Sequence, residues 1–438
     1  AWVYAFTFIG GLFADKILGL RKSLFWGGLL MIIGSVILAI DPVKFFFIGI
    51  GFTIIGTGFF KPNISSMVGQ LYKEGDNRTD AGFSFFYMGV NLGALIGGYI
   101  CIAVAEGSLW QTVVPENLRW NVGFGFAALV MIISLLTFTQ TQKSLGPIGL
   151  SPLGHIETSK RKTFELATFI GSLLILPIII LMVENTEYTK WFMIFIGPAS
   201  LIYLFFEMRN FSFLENKKLI AAIILMLFSI VFWAFFEQSG GSLSLFAANN
   251  LNNTIAGFTL SPNGVNNSAN SFFVIGFAAL VGLAWLWMSK RKIEPNTVIK
   301  FGLAFLFLAG GFWVFYYTKF LAGADGRTSL GLFTFGWFVI TFGELCLSPI
   351  GMSAMTKLSP QKTQAVIMGM WFLASAYGQY FAGILGANIA NASESASNID
   401  KLNIYAVGYQ QLAIYALIAG VILIVISPFI KKLMQEVK

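Results

Sequence analysis

Three ionisable residues lie inside long apolar runs of the sequence, where a charge is costly. They are Lys61 in GTGFFKPNISS, Glu237 in FWAFFEQSGGS and Glu344 in FGELCLSPIG. Charged side chains at membrane depth are rare and mark substrate or proton pathways, so each of the three is a candidate functional residue. The chemistry that they could perform is binding of a charged ligand and transfer of a proton.

The three charges differ in their expected partners. Glu237 is the natural partner of Lys61, because an unpaired buried charge costs several kcal/mol, and protonation of the glutamate would free the lysine. The alternative is a permanent ion pair that only holds two helices together. Glu344 has no clear basic partner in its own half of the sequence and would suit a ligand ammonium group; the alternative is a protonated side chain hydrogen-bonded between helices.

The composition shows which elements must position these residues. The chain has 438 residues, of which 56% are apolar and 11% are charged, and its mean hydropathy is +0.76. A soluble domain has about 25% charged residues, so the composition excludes an ordinary soluble enzyme. The apolar residues form solid runs instead of alternating segments, which predicts an all-α polytopic membrane protein.

Cysteine and histidine usage excludes further classes of site. The sequence has two Cys and one His, which offers neither a disulfide framework nor a metal cluster. Catalysis would need a clustered nucleophile, acid–base or metal set, and a channel would need a filter motif, and neither pattern is present. We therefore expect no enzyme, no metal and no cofactor.

Thirteen apolar runs are helix candidates. They lie near 1–20, 24–40, 45–72, 82–105, 121–139, 164–183, 191–206, 219–248, 271–289, 299–321, 329–356, 363–390 and 407–430. The run at 191–206 is short and is either interfacial or spanning. Trp233 and Trp371 lie near the middle of their runs, close to the polar motifs, and are candidates for lining a pocket.

Lysine and arginine fix the predicted orientation. When the connections between runs are taken alternately, twenty-one of the 28 basic residues fall in one set, six fall in the other, and Lys61 lies within a run. The positive-inside rule places the richer set and the C-terminus in the cytoplasm. The positive charge thus reflects topology and implies no nucleic acid partner. Thirteen spans would then put the N-terminus outside, so we expect that a first helix is absent from the chain. The alternative is a cleaved signal peptide, although a mature chain that starts inside a membrane helix would be unusual.

Six sequence blocks resemble a known family. The block GGLFADKILGLRK at 10–22 resembles the loop between the second and third helices of the major facilitator superfamily; in it Asp15 can cap or pair, and Arg21 can hold the loop on the cytoplasmic side. The other blocks, in this order, resemble the proton-dependent oligopeptide transporter (POT) family. They are GTGFFKPNISSMVGQLY, FSFFYMGVNLGALIGG, FWAFFEQ, GELCLSPIGMSAMTKLSP and MGMWFLASAYGQYFAG.

The resemblance implies an architecture of two six-helix bundles with two inserted helices. It assigns 1–141 to an N-terminal bundle that holds helices two to six and 142–163 to a cytoplasmic linker. Residues 164–210 become the inserted pair, and 211–438 become the C-terminal bundle. Thirteen of fourteen helices would be present, and the missing first helix carries a proton-coupling motif in the family.

The resemblance also implies roles for individual residues. Glu344 resembles the carboxylate that holds the amino terminus of a peptide, and Lys61 resembles the lysine that attracts the peptide carboxylate and pairs with Glu237. Further positions match residues that line the pocket, namely Tyr4, Asn91 and Trp371. Trp233 lies on the same helix face as Glu237. Some members of the family carry an Asn-Pro pair where Asn270 and Ser271 stand, which leaves the role of Asn270 open.

The implied function is proton-coupled import of di- and tripeptides by alternating access, in a multi-pass protein of the cell membrane. Its partners would be peptides, protons and the lipid bilayer, and the functional unit would be a monomer. The alternative is a major facilitator transporter of another small solute, such as nitrate, an amino acid or a drug.

Overall fold

The fold is almost entirely α-helical. The computed structural model describes residues 2–73, 75–105, 110, 112–255, 257–389 and 396–435. Within these residues, ten helical stretches are long and apolar enough to cross a membrane. Helices suit the apolar runs because every backbone polar group is then paired inside its own segment. The prediction of an all-α polytopic membrane protein is confirmed.

Sixteen α-helices occur in the described residues. They are α1 (Trp2–Ala5), α2 (Thr7–Phe13), α3 (Leu20–Ile40), α4 (Phe46–Gln70), α5 (Thr79–Ala105), α6 (Arg119–Thr141), α7 (Thr158–Leu174), α8 (Leu176–Glu184), α9 (Thr186–Glu207), α10 (Phe213–Phe236), α11 (Ser242–Asn250), α12 (Pro262–Lys290), α13 (Thr297–Tyr317), α14 (Leu330–Leu358), α15 (Gln364–Ile389) and α16 (Asn398–Met434). Two short strands, β1 (Thr254–Ile255) and β2 (Phe258–Thr259), pair antiparallel.

The chain divides into two compact units. Unit 1 comprises Ala1–Asp76, Ile96–Asn216 and Met355–Ala376, and unit 2 comprises Asn77–Leu95, Lys217–Ala354 and Tyr377–Lys438. The division into bundles at 141, 163 and 210 stays a prediction.

Unit 1 is built around α3, which packs along α4 and α6. Small residues allow the close approach, because a Cβ on Gly27 would lie 2.5 Å from the Gly56 carbonyl oxygen. The buried side chains of this unit include Leu30, Ile54 and Phe59. Such small-residue contacts are typical of helix packing in membranes.

Unit 2 is built around the pairing of α13 with α16. Phe305 and Phe312 of α13 are fully buried, and the ring of Phe312 stacks on Tyr409 of α16 with 6.0 Å between centroids. A Cβ on Gly302 would lie 3.3 Å from the Gly420 carbonyl oxygen, so the two backbones run close together.

The first predicted span is not one regular helix. Helix α2 ends at Phe13, a π-helix covers Ala14–Leu18, and Gly19 adopts φ +76° before α3 begins. That conformation favours glycine. The wider π turn redirects the segment that carries Asp15, and a hydropathy pattern does not reveal such a change in winding.

Three other predicted spans also differ in their bounds. The span at 219–248 is interrupted, because α10 ends at Phe236 and a 3-10 turn, Glu237–Gly240, precedes α11. The span at 164–183 becomes α7 and α8. The span at 191–206 lies within α9, whose 22 residues are long enough to cross a membrane.

Candidate functional site

Glu344 lies on α14 with 3% of its surface exposed, and two neutral donors hold it. The Tyr87 hydroxyl donates a hydrogen bond to Oε1, and Asn270 Nδ2 donates to Oε2 across 2.5 Å. Among the described residues, no basic side chain forms an ion pair with Glu344. Burial of an ionised carboxylate is costly unless a cation compensates it. An ionised Glu344 would therefore be stabilised by a positively charged group of a ligand.

Two predicted amides lie beside this carboxylate. Asn270 also donates to Thr341 Oγ1 across 3.3 Å, and its neighbour Ser271 donates to Asn91 Oδ1 across 3.3 Å. Asn91 Nδ2 donates to the backbone oxygen of Tyr87 across 3.1 Å. The structure thus brings together Glu344, Asn270 and Asn91 within unit 2.

The sequence reasoning missed Tyr87. Its spacing from Asn91 was the available signal, because residues four apart in FYMGVN share one helix face. The hydroxyl points to Glu344 from α5, so Tyr87 fixes the orientation of the carboxylate.

Lys61 lies on α4 in an aromatic environment. Its Nζ is 3.6 Å from the ring centroid of Tyr4 and 4.9 Å from that of Phe372. No described carboxylate within unit 1 pairs with it. Lys61 is only half-buried, and a cation over aromatic faces gains about 0.5–2 kcal/mol. Of these two rings, Tyr4 was predicted to line the site and Phe372 was not. The predicted pocket residue Trp371 is buried in unit 1, with 2% of its surface exposed.

Glu237 stands at the helix interruption between α10 and α11. Gln379 of α15 donates to Glu237 Oε1 across 3.2 Å. Discontinuous helices at ion sites are a recurring feature of membrane transporters. Trp233 lies one turn earlier, and its buried Nε1 has no hydrogen-bond partner among the described residues. The proposed pairing of Glu237 with Lys61 would join the two units and stays a prediction.

The loop residues Asp15 and Arg21 both contact backbone groups. Asp15 Oδ2 accepts a hydrogen bond of 2.7 Å from Val366 N, in the first turn of α15. The first turn of a helix has unsatisfied N–H groups, so the carboxylate acts there as a cap. Arg21 donates from Nε to the Ile148 oxygen across 2.7 Å and from Nη2 to the Gly146 oxygen across 2.6 Å. Arg21 therefore holds the linker.

A second buried charge cluster was not predicted. Lys300, which is 1% exposed, lies 2.7 Å from Asp80 Oδ2 and 2.5 Å from Glu294 Oε1. Ser353 donates a hydrogen bond to the other oxygen of Asp80. In the sequence Lys300 belongs to a connection between runs, where a lysine indicates a solvated loop. The shared burial of Lys300 and Asp80, with Glu294 half-buried beside them, became visible only in the structure.

Neither a metal site nor a disulfide is formed by the part of the chain that the structure describes. Its His, Cys, Asp and Glu side chains make no group of three that could hold a metal ion. Cys101 and Cys346 are free thiols.

Comparison with known proteins places the chain among membrane transporters. The family model described as "POT family" matches residues 21–402. The chain is 32% identical to the uncharacterized transporter YclF of Bacillus subtilis, covering 99% of this chain and 84% of that protein. It is 31% identical to a di-/tripeptide transporter of Lactococcus lactis subsp. cremoris, covering 100% of this chain and 86% of that protein.

The fold of the chain is similar to that of a solved transporter structure. The chain matches a crystal structure of a mutant of peptide transporter POT in complex with alafosfalin with a TM-score of 0.71 and 32% identity, covering 99% of this chain and 85% of that one. The predicted transporter fold is confirmed. With a family match over most of its length and relatives above 30% identity, this chain belongs to the POT family.

Proposed function

We propose that the protein is a symporter that uses an inward proton gradient to import di- and tripeptides by alternating access. The relative from Lactococcus lactis is named a di-/tripeptide transporter, and the matching crystal structure is that of a peptide transporter. The observation that carries the proposal is the buried carboxylate of Glu344, held by Tyr87 and Asn270 without a described cation.

The ammonium group of a peptide would supply a positively charged partner for the Glu344 carboxylate. A charge-assisted hydrogen bond is about twice as strong as a neutral one, so the amino terminus gains most from binding here. Asn91 keeps one N–H and one acceptor site for a peptide backbone, and Asn270 keeps its Oδ1 as an acceptor. Recognition of the terminus and the backbone makes no demand on the side chains, so the expected specificity is broad.

Lys61 would attract the carboxylate of the peptide. Its contacts with Tyr4 and Phe372 stabilise a cation without neutralising it. In this mechanism Glu237 is the proton carrier: ionised, it attracts Lys61, and protonated, it releases the lysine to the substrate. The helix interruption leaves Glu237 in a short 3-10 turn, where a small backbone change can move its side chain.

The other solutes fit the site less well. Nitrate is an anion and would be repelled by the buried carboxylate of Glu344. A free amino acid has no peptide bond, so it offers no backbone amide for hydrogen bonds with the side chains of Asn91 and Asn270. A drug that keeps an ammonium and a carboxylate remains compatible with peptide transport, because it presents the same two charges.

The remaining features of the proposal concern the cell. We expect a multi-pass protein in the cell membrane, with its C-terminus in the cytoplasm, that works as a single chain and needs no cofactor. The excess of basic residues on one side of the predicted topology supports this orientation.

Uptake into liposomes tests the function. The full-length protein is reconstituted, and uptake of labelled dialanine is followed with and without an inward proton gradient. We expect gradient-dependent accumulation that other dipeptides compete with and free alanine does not. Folded protein that takes up no dialanine would contradict the proposal, and competition by nitrate or free alanine would favour another solute.

A further inference from the structure

Two ion pairs connect helices α7 and α9 to the segment that carries Asp15. Lys16 Nζ lies 2.8 Å from Glu207 Oε1 on α9, and Lys22 Nζ lies 2.5 Å from Glu165 Oε1 on α7. The two lysine side chains are 42% and 46% exposed, whereas the glutamates are only 13% and 10% exposed. Each ion pair thus joins a largely buried glutamate to a lysine that is exposed to solvent.

Each carboxylate has a second contact on its own helix. The Tyr203 hydroxyl donates to Glu207 Oε1 across 3.0 Å, and Arg161 Nε lies 3.7 Å from Glu165 Oε1. Contacts one turn away on the same helix restrict the rotamers of both glutamates. The two acceptors are therefore pre-organised before the lysines reach them.

Within unit 1, two tryptophans of the N-terminal segment and of α3 also hold helices α7 and α9. Trp2 Nε1 donates to Thr189 Oγ1 across 2.9 Å, and Trp26 Nε1 donates to Ser172 Oγ across 3.0 Å. Each indole also packs against a phenylalanine of the same helix, with centroid distances of 4.5 and 4.7 Å, namely Phe192 and Phe169. These paired contacts make the two helices a firm support for the nearby loop.

The supported loop contains the contact between Asp15 and α15. Lys16 follows Asp15 directly on the π-helix Ala14–Leu18, so a restraint on Lys16 limits the motion of that turn. Lys22 restrains the other end of the loop, in the first turn of α3. Ordering the backbone of a free loop costs about 1–2 kcal/mol per residue in conformational entropy. The ion pairs of Lys16 and Lys22 contribute to ordering residues 14–22, so the Asp15 hydrogen bond has to offset a smaller share of that cost.

We propose that Glu207 and Glu165 are positioning residues, which hold residues 14–22 through Lys16 and Lys22 so that Asp15 meets the first turn of α15. The two helices that the family resemblance treats as an insertion thereby act on the conformational loop. The inference rests on the proposed transport function for its effect on uptake, but its effect on the loop is independent of the substrate.

Neutral variants test the proposal by transport. In E207Q and E165Q, the maximal rate of gradient-driven dialanine uptake is expected to fall about two- to fivefold each, the range for a partly exposed ion pair. The double variant should show the product of the two effects, because the pairs are separate. The KM for dialanine should stay unchanged, since neither glutamate lies at the substrate site.

The chain offers a matched control. Glu157 lies 4.0 Å from Lys160 just before α7, and both side chains are largely exposed. In the described part of the chain, the Glu157 carboxylate forms its ion pair with Lys160 and none with residues 14–22. E157Q should transport like the wild type. A maximal rate of E165Q/E207Q equal to that of E157Q would overturn the proposal.

Hydrogen exchange separates this proposal from the proposed function. In E165Q/E207Q, the amides of residues 14–22 and of Val366 should exchange faster than in E157Q, whatever the protein transports. Equal exchange in the two variants would overturn the positioning role even if dialanine uptake is normal. Faster exchange with no uptake by the wild type would support the role and contradict peptide transport.

Cross-linking tests whether the restraint itself is what matters. With Cys101 and Cys346 replaced by alanine, K16C/E207C should transport slowly, and a short bis-methanethiosulfonate reagent should restore the rate by joining the two positions. Restoration is not expected if Glu207 only stabilises the fold. A cross-linked protein that stays slow would count against positioning by this pair.

Discussion

Lys300 and Asp80 form an ion pair that is almost fully removed from solvent, with 1% and 6% of their side chains exposed and 2.7 Å between Nζ and Oδ2. The residues are 220 positions apart in the sequence. Glu294 adds a second carboxylate at 2.5 Å, and Trp285 places its ring 4.8 Å from the same ammonium. The single lysine thus compensates two acidic groups.

Removal of this lysine should destabilise the protein strongly. K300A removes the cation that faces the buried Asp80 and the partly exposed Glu294, and breaking a buried pair from one side costs about 3–5 kcal/mol. We expect a clearly lower Tm in detergent, measured by intrinsic fluorescence. K290A, which removes an exposed lysine at the end of α12, is the control and should melt like the wild type. Equal Tm values for K300A and K290A would show that the cluster contributes little.

The two carboxylates of the cluster should differ in their effect. E294Q leaves the Lys300–Asp80 pair intact and removes the excess negative charge, so a small change in Tm is expected. D80N removes the more deeply buried partner, which also accepts from Ser353, and should cost more. The opposite order of Tm values would contradict this division of roles.

Glu344 is expected to bind the amino terminus of the substrate. E344Q should weaken dialanine binding about ten- to a hundredfold, because a hydrogen bond to a charged group contributes about 1.5–3 kcal/mol. Calorimetry on the purified protein measures the loss. Glutamine keeps the size of the side chain and its acceptor oxygen, so E344Q should remain folded.

An acetylated ligand makes this test specific to the terminus. N-acetyl-dialanine lacks the ammonium group and should bind the wild type as weakly as dialanine binds E344Q. The same ligand should lose little further affinity in E344Q, as a thermodynamic cycle requires for a direct contact. A full additional loss would show that Glu344 acts elsewhere.

Isolated charges could be singled out from the sequence, and their roles stay predictions. Lys61, Glu237 and Glu344 stand out because a charge inside an apolar run is visible without any knowledge of contacts. The bounds of most helices followed from hydropathy for the same reason. Asn270, whose role the sequence left open, proved to donate directly to Glu344.

Contacts between distant residues could not be predicted in this way. Lys300 lies three residues into α13, where a lysine is ordinarily solvated, and its burial depends on Asp80 at the start of α5. The interruption at Glu237 had a local signal in the glycines of EQSGGS, but apolar residues on both sides favoured one continuous helix. The burial of Lys300 and the interruption at Glu237 thus depend on packing between distant segments, which composition and hydropathy do not describe.

Glu237 should be needed for accumulation but not for exchange. E237Q cannot ionise, so it cannot release a proton, and gradient-driven accumulation of dialanine should be abolished. Counterflow, in which unlabelled peptide inside drives labelled peptide inward, should persist because it needs no net proton movement. E184Q, at the exposed end of α8, is the control and should retain both activities. Loss of both activities in E237Q would indicate a binding or structural role.

Asp15 caps α15 from outside that helix, and the contact should support the transport cycle without binding substrate. D15A removes the acceptor for Val366 N, and loss of a capping oxygen costs about 0.5–2 kcal/mol. Since 1.4 kcal/mol corresponds to a tenfold change, the maximal uptake rate should fall about two- to thirtyfold with an unchanged affinity for dialanine. D15N keeps a neutral acceptor and should fall between D15A and the wild type.

Asp41 provides the matched control for this carboxylate. Asp41 also accepts hydrogen bonds from backbone N–H groups, those of Val43 and Lys44 across 3.1 and 2.9 Å. It lies just after the C-terminal end of α3, in an exposed turn. D41A should therefore lose a comparable local contact and leave transport nearly unchanged. If D15A and D41A slow uptake equally, the effect belongs to capping in general, and the particular contact between Asp15 and α15 has no special part in the cycle.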